Sequence, residues 1–181
     1  MASYRLFGFV ALAVFVNLLT GFHTQEASAN PDPAPNPVPA TSPFKWQQYK
    51  GADGKMYDFP SWKAVQGQQG KVNLDAASGV VYPPANYKVT KAVMKIYKPS
   101  ATAPGSYETT PALTLESNNP LALVPAGYQV AWGENPPGPY VVFDAGVTVK
   151  IEIRVSYQNV NNANDKFEAD LSTQYAVTTV H

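Results

Sequence analysis

The strongest constraint in this chain is a run of strict two-residue alternation. Val147, Val149, Ile151, Ile153, Val155 and Tyr157 are apolar, and Thr148, Lys150, Glu152, Arg154, Ser156 and Gln158 between them are polar. Successive side chains of an extended strand point to opposite faces, so the segment predicts a strand with one buried and one wet face. A helix would spread the same apolar set around its whole circumference. Phe167, Ala169, Leu171, Thr173, Tyr175 and Val177 repeat the pattern against Glu168, Asp170, Ser172 and Gln174. The Asn-rich stretch 159–166 supplies turn formers, so the two strands are expected to form a hairpin.

The rest of the chain reads in the same way. Over Val89–Tyr97, Ala92, Met94 and Ile96 share one face and Lys91 and Lys95 the other. Tyr107, Thr109, Leu113 and Leu115 share a face, but Pro111 interrupts them, which predicts an edge strand or a bulge. Tyr128, Val130 and Trp132 alternate with Gln129, Ala131 and Gly133 before the turn Pro136–Pro139. Trp46–Tyr49 and Met56–Phe59 flank Gly51–Gly54, a hairpin signature. No stretch of ten or more residues carries a helical period. Short strands split by Pro, Gly and Asn turns predict an all-β fold, an antiparallel β-sandwich. The turns Leu123–Tyr128 and Pro137–Tyr140 resemble those of immunoglobulin-like and fibronectin-like domains, so a Greek key of that kind is the expected topology. The cysteine–tryptophan–cysteine hallmark of true immunoglobulin domains is absent.

Three segments are expected along the chain. Residues 1–29 read as a signal peptide: Arg5, an apolar run Leu6–Val16, and the small-x-small site Ala27-Ser28-Ala29. A retained anchor is the competing reading, but a spanning helix needs roughly 20 apolar residues, and Asn17 and Thr20 dilute this one. Residues 30–43 hold Pro31, Pro33, Pro35, Pro37, Pro39 and Pro43. Proline at that density favours extended polyproline II, a semi-rigid linker of up to roughly 40 Å. Residues 44–181 then form one sandwich domain. Its 138 residues suffice to bury about two-thirds of the unfolded surface without a covalent staple. The protein is expected to be exported, to the periplasm, the cell surface or the medium. An exported chain without cysteine points to a bacterial origin.

Composition removes whole classes of chemistry. With no cysteine there is no disulfide, thiol nucleophile or thiolate metal site. The two histidines are His23, in the leader, and His181, the last residue, so no histidine-centred triad fits inside the fold. Zero formal net charge offers no electrostatic case for nucleic acid. One unconventional pair is left for catalysis, Ser61 with Lys63, which requires a desolvated lysine. The expectation is a protein that is not an enzyme and takes no cofactor.

Three binding readings are left. Trp46, Tyr49, Tyr57 and Trp62, with Trp132, are candidates for an aromatic platform that would hold sugar rings by their C–H faces; the competing reading puts these rings in the core. Asn161, Asn164, Asp165 and Glu168 bring oxygen ligands together in the manner of a calcium site, against a polar hairpin loop held by Asn. Finally, residues 45–98 hold nine lysines against three aspartates, and 99–181 three cations against eight acids. If those halves form opposite sides, copies would stack head to tail. Phe44–Tyr49 on its Pro-rich tether is the candidate arm for a neighbour's sheet edge. The leading expectation is an exported, non-catalytic interaction protein of the cell envelope or extracellular space, a self-assembling surface or matrix subunit. Its partner would be another protein or a second copy, forming a homo-oligomer or filament, with no integral membrane segment after signal cleavage. A carbohydrate-binding module with a polysaccharide partner is the alternative, and a small Ser–Lys hydrolase the remote one.

Overall fold

β11 (Thr148–Asn159) lies where the alternation placed a strand, and its burial follows the pattern: Val149, Ile151, Ile153, Val155 and Tyr157 are buried and Arg154 is exposed. The computed structural model describes residues 44–124, 126–133 and 141–177. The expected signal peptide and linker, and the turn Pro136–Pro139, lie outside the described residues. Every described element is a strand, and no helix among the described residues is long and apolar enough to cross a membrane.

Beside β11 run β6 (Tyr87–Tyr97) and β12 (Lys166–Ala176), and β7 (Leu113–Ser117) lies beyond β6, giving an antiparallel sheet in the order β12-β11-β6-β7. The β11–β12 register is unbroken from Thr148 opposite Ala176 to Gln158 opposite Lys166, the expected hairpin. The interrupted segment pairs in two pieces, an isolated bridge of Tyr107 with Pro99 and then β7 past Pro111, and β7 is an edge strand among the described residues, as expected. β6 holds one surprise. Tyr87 and Val89 are buried, and so are Ala92, Met94 and Ile96, which breaks strict alternation. Ser156 lies opposite Lys91 and Tyr157 opposite Val89, so Thr90 is the extra residue of a β-bulge. Its hydroxyl donates to the Ser156 carbonyl at 3.1 Å. The bulge turns both ends of β6 toward the core.

The second sheet is built around β5 (Lys71–Val81), a strand that the periodicity did not reveal. Its first half pairs with β4 (Ser61–Ala64) and β10 (Phe143–Asp144), its second half with β1 (Phe44–Trp46) and β9 (Tyr128–Trp132), all antiparallel. β8 (Leu121–Ala122) adds to β9. Here too the frame shifts. Ser61 faces Ala76 and Trp62 faces Leu74, so Asp75 is the extra residue. Val72 and Leu74 before the shift and Ala77 and Val81 after it are all buried. β2 (Gln48–Lys50) and β3 (Met56–Asp58) pair only with each other, as the hairpin that Gly51–Gly54 predicted. Gly54 has φ +82°, the left-handed backbone such a turn requires.

The two sheets share one apolar core, the layering of a β-sandwich. Val72, Leu74, Val130 and Trp132 from one sheet and Met94, Ile96, Ile151 and Val155 from the other are sealed from solvent. Each such aliphatic side chain contributes about 1.5–3 kcal/mol relative to exposure. Trp132 also crosses the gap, donating from Nε1 to the Ala92 carbonyl at 3.2 Å.

At the start of the domain, the Phe44 ring lies on Gly79 of β5, where an added Cβ would fall 2.3 Å from Phe44 Cζ. Gly79→Ala should therefore displace that ring and lower stability by about 1–3 kcal/mol, the usual cost of overpacking. Phe44→Ala should cost less in the Gly79→Ala background than in the wild type. Additive effects in a denaturant double-mutant cycle would show that the two positions do not share this contact.

Candidate binding edge and the expected site residues

The five expected platform aromatics separate into two groups. Trp62 and Trp132 are 2% and 1% exposed. Trp62 packs edge-on to Phe143 with centroids 5.2 Å apart. Trp46 is half-buried against the Phe44 and Trp132 rings, at 4.8 and 6.2 Å. These three rings belong to the core and its margin, because their area is worth most out of water. Tyr49 and Tyr57 do come together, 5.9 Å apart on the β2–β3 hairpin, and Phe59 joins them 5.0 Å from Tyr49. All three are half-buried. Tyr57 donates to Asp53 Oδ2 at 2.6 Å, and that bond, with Asp53's charge nearby, raises its pKa. Burial, with the charge of Asp75, raises that of Tyr49.

The metal candidates do not converge. Asp165 accepts from Tyr87 Oη at 2.7 Å and from Asn159 Nδ2 at 2.9 Å. The Asn161 N–H donates to Asn159 Oδ1, and the Asn164 N–H donates to Asn162 Oδ1. The loop oxygens thus hold the turn itself. Glu168, up the strand, accepts from Ser156 Oγ at 3.0 Å and lies 3.8 Å from the Arg154 guanidinium. Among the described residues no three His, Cys, Asp or Glu side chains group as a metal site would.

Ser61 is occupied in the same way. Its Oγ accepts from the Ala76 N–H at 3.1 Å and lies 3.2 Å from the Ala76 carbonyl, clasping the bulge at Asp75. Lys63 pairs with Asp75 at 3.3 Å and is partly exposed, without the desolvation that would activate a lysine.

Among the described residues two ion pairs cross between the halves, and others, such as Lys63 with Asp75 and Arg154 with Asp170, stay within one. Lys91 bonds Glu116 at 2.7 Å between β6 and β7, and Lys71 pairs with Asp144 between β5 and β10. Each sheet contains strands from both halves, so opposite charges become cross-strand neighbours where the halves meet. The expected donor arm is likewise in use: Phe44–Trp46 is β1, paired with the chain's own β5.

Among the described residues, the longest edge without a strand partner is the outer edge of β12. Among the described residues β12 pairs with β11 alone. The Asn159 N–H donates to the Asp165 carbonyl and the Val177 N–H to the Val147 carbonyl, so odd-numbered positions bond toward β11 at both ends of an unbroken register. Even-numbered positions from Lys166 to Ala176 therefore turn their N–H and C=O outward. The opposite edge of this sheet differs: β7 is five residues long, and its Ser117 hydroxyl accepts the Ala131 N–H at 3.3 Å. The wet face beside β12 is braced. Arg154 bonds both carboxylate oxygens of Asp170, at 2.6 and 3.2 Å. Lys150 pairs with Glu152 at 2.5 Å, and Tyr97 donates to the same carboxylate at 2.7 Å. The alternating pattern announced β12 as a strand, but its edge position follows only from the strand order.

No protein-family model, curated protein or solved structure matches the chain.

The Tyr97–Glu152 bond implies a definite pH response. Burial, then the hydrogen bond to Glu152, pushes the Tyr97 pKa up to about 12. A folded-state pKa above the unfolded value of about 10 stabilises fully below pH ~10, and that contribution disappears as pH rises through the folded value. Stability should fall between pH ~10 and ~12, and Tyr97→Phe should remove that part of the loss in alkaline urea melts. Glu152 shifts the other way, lowered first by Lys150 and then by Tyr97. Its contribution is present above about pH 4.3 and is lost as pH falls through the depressed value. Glu152→Gln should flatten the acid limb, and identical limbs in variant and wild type would show that the group is uncoupled.

Proposed function

We propose that this is an exported, non-catalytic β-sandwich, an immunoglobulin- or fibronectin-like Greek key in topology, that works at the cell surface or outside the cell by joining protein to protein. The partner is a second copy of the chain, and the contact is edge-to-edge pairing of β12 with β12. The single observation that carries this reading is the outward edge of β12, eleven residues without proline or a register break. A free row of backbone donors and acceptors is a template for another strand. Two copies of one edge are self-complementary when antiparallel, which closes as a two-fold dimer. Zero net charge leaves no large repulsion between copies. The competing chemistries lack support in the described residues: Ser61 clasps a bulge and the loop acids hold turns.

Ser172→Pro is the clean test. Position 172 turns its N–H outward, so proline there removes no β11 ladder bond while blocking an incoming strand. Sedimentation of the wild type should show a salt-indifferent dimer that Ser172→Pro converts to a monomer with an unchanged melting temperature. A wild type that is monomeric at every concentration, or a proline variant that dimerises equally well, would sink the reading.

A carbohydrate-binding role is the second reading, supported by the half-exposed strip Tyr49, Tyr57 and Phe59. It predicts retention on a polysaccharide column that Tyr49→Ala weakens at least about tenfold, or ~1.4 kcal/mol. Retention unaffected by Tyr49→Ala and by Phe59→Ala would remove the strip from consideration.

A further inference from the structure

The last rungs of both sheets lie at one end of the sandwich. Phe44, Val81, Tyr128 and Ala122 pair across one sheet, and Tyr87 pairs with Asn159 in the other. Three connections turn there: residues 82–86 between β5 and β6, 123–127 between β8 and β9, and 160–165 between β11 and β12. Contacts join them into one surface. The Tyr82 ring lies against Gly127, 3.2 Å from where an added Cβ would stand. The Val160 N–H donates to the Asn86 carbonyl at 2.8 Å, and the Leu123 N–H donates to the Gly127 carbonyl at 2.9 Å.

This end is apolar where it projects. Val124 is 99% exposed, Leu121 61% and Val160 57%, and Tyr82 is exposed beside them. Exposed apolar side chains scattered singly need no explanation, but a group of them does. Among the described residues these are four of the five large apolar side chains left exposed, and the fifth, Met56, lies on β3. From Ser117 to Gly133 the sequence holds no charged residue. Cations stand one residue behind the last rungs, about 3.3 Å further in. Lys45 of β1 is opposite Val80, and Lys88 and Lys166 flank Gln158 on the wet face of the four-stranded sheet. All three are exposed, and among the described residues none has an ion-pair partner. The carboxylates beside Lys166 are committed: Asp165 to Tyr87 and Asn159, Glu168 to Ser156 and Arg154.

We propose that this end of the sandwich docks on an anionic lipid surface. Leu121, Val124, Val160 and Tyr82 enter the headgroup boundary, and Lys45, Lys88 and Lys166 rest on the anionic headgroups. Apolar tips in front and cations behind follow the order in which a bilayer presents acyl chains and charge. Tyrosine suits the boundary because its ring is apolar and its hydroxyl wet. The lysines stand on two different sheets, so only a broad negative surface meets all three while the tip is buried. The proposal goes beyond the dimer reading and does not rest on it, since it uses no backbone group of the β12 edge.

The test is cosedimentation of the protein in its exported form with phosphatidylcholine vesicles, with and without phosphatidylserine. Binding should require phosphatidylserine and weaken as salt rises. Val124→Asp should lower it at least about tenfold, because an apolar side chain in the boundary becomes a like charge there. Lys88→Gln and Lys166→Gln should each lower it about fivefold. All three positions are exposed, and unchanged melting temperatures would show that the variants fold. The chain has no cysteine, so Val124→Cys gives a single labelling site. A polarity-sensitive dye there should shift to the blue on the anionic vesicles, and the same dye on Thr102→Cys, beyond the opposite end of β6, should not. Absence of vesicle binding, full binding by Val124→Asp or by the lysine variants, or equal shifts at both dye positions would overturn the assignment. A dye shift at position 124 that follows protein concentration without vesicles would give the tip to a second copy instead.

Discussion

A strand buried between neighbours must keep its apolar side chains on one face for its whole length, and β5 meets that demand only through its bulge at Asp75. Were Asp75 paired in regular alternation, Val72 and Leu74 would share a face with Ala76 and Ser78, and Ala77 and Val81 would turn away from the core. A slip of one residue inverts every side chain beyond it. The Ser61 hydroxyl holds the bulge by bonding Ala76. Four strands take their register from β5, so the whole sheet inherits that local geometry. Thr90 performs the equivalent service in β6.

These two bulges account for what is buried and for what is left at the surface. They aim Tyr87 and Val89, and Val72 and Leu74, inward beside residues from the other halves of their strands. The aromatic residues closest to β5 then join the core: Trp62 and Trp132 pair with it directly. Trp46, on β1, is left half-buried at the margin of the core, and Tyr49 and Tyr57 keep partial exposure on the β2–β3 hairpin, which pairs with neither large sheet. The surface of the four-stranded sheet is a lattice of ion pairs. Each exposed pair is worth little by itself, about 0–1 kcal/mol. Two of them tie Arg154 of β11 to Glu168 and Asp170 of β12.

The legibility of the fold followed the solvent exposure of each strand. β11 and β12 each have one wet face, so their sequences alternate and could be read directly. β5 pairs on both sides, and its polar positions Asn73 and Ser78 are buried, so no period marks it out. Ser78 satisfies its hydroxyl against the Val130 carbonyl and Gln47, partners far away in sequence. The Asn-rich loop is ambiguous in sequence for a related reason. Asn and Asp supply oxygen atoms equally well to a cation and to a turn, and here Asp165 is committed to Tyr87, 78 positions earlier.

The sequence by itself determined that this chain is built of strands, where its most exposed hairpins turn, and that it carries no thiol. Those properties are local or compositional, and a period of two or a missing residue type needs no partner to be read. Tertiary structure alone decided which strand is central, which described edge lacks a partner, which tryptophans are buried and which charges of the two halves meet, at Lys71–Asp144 and Lys91–Glu116. It also brought Tyr82, Val124 and Val160 to one end of the sandwich, residues that share no sequence pattern. Each of these depends on strand order, and strand order is set by contacts between positions too distant along the chain to leave a local signal.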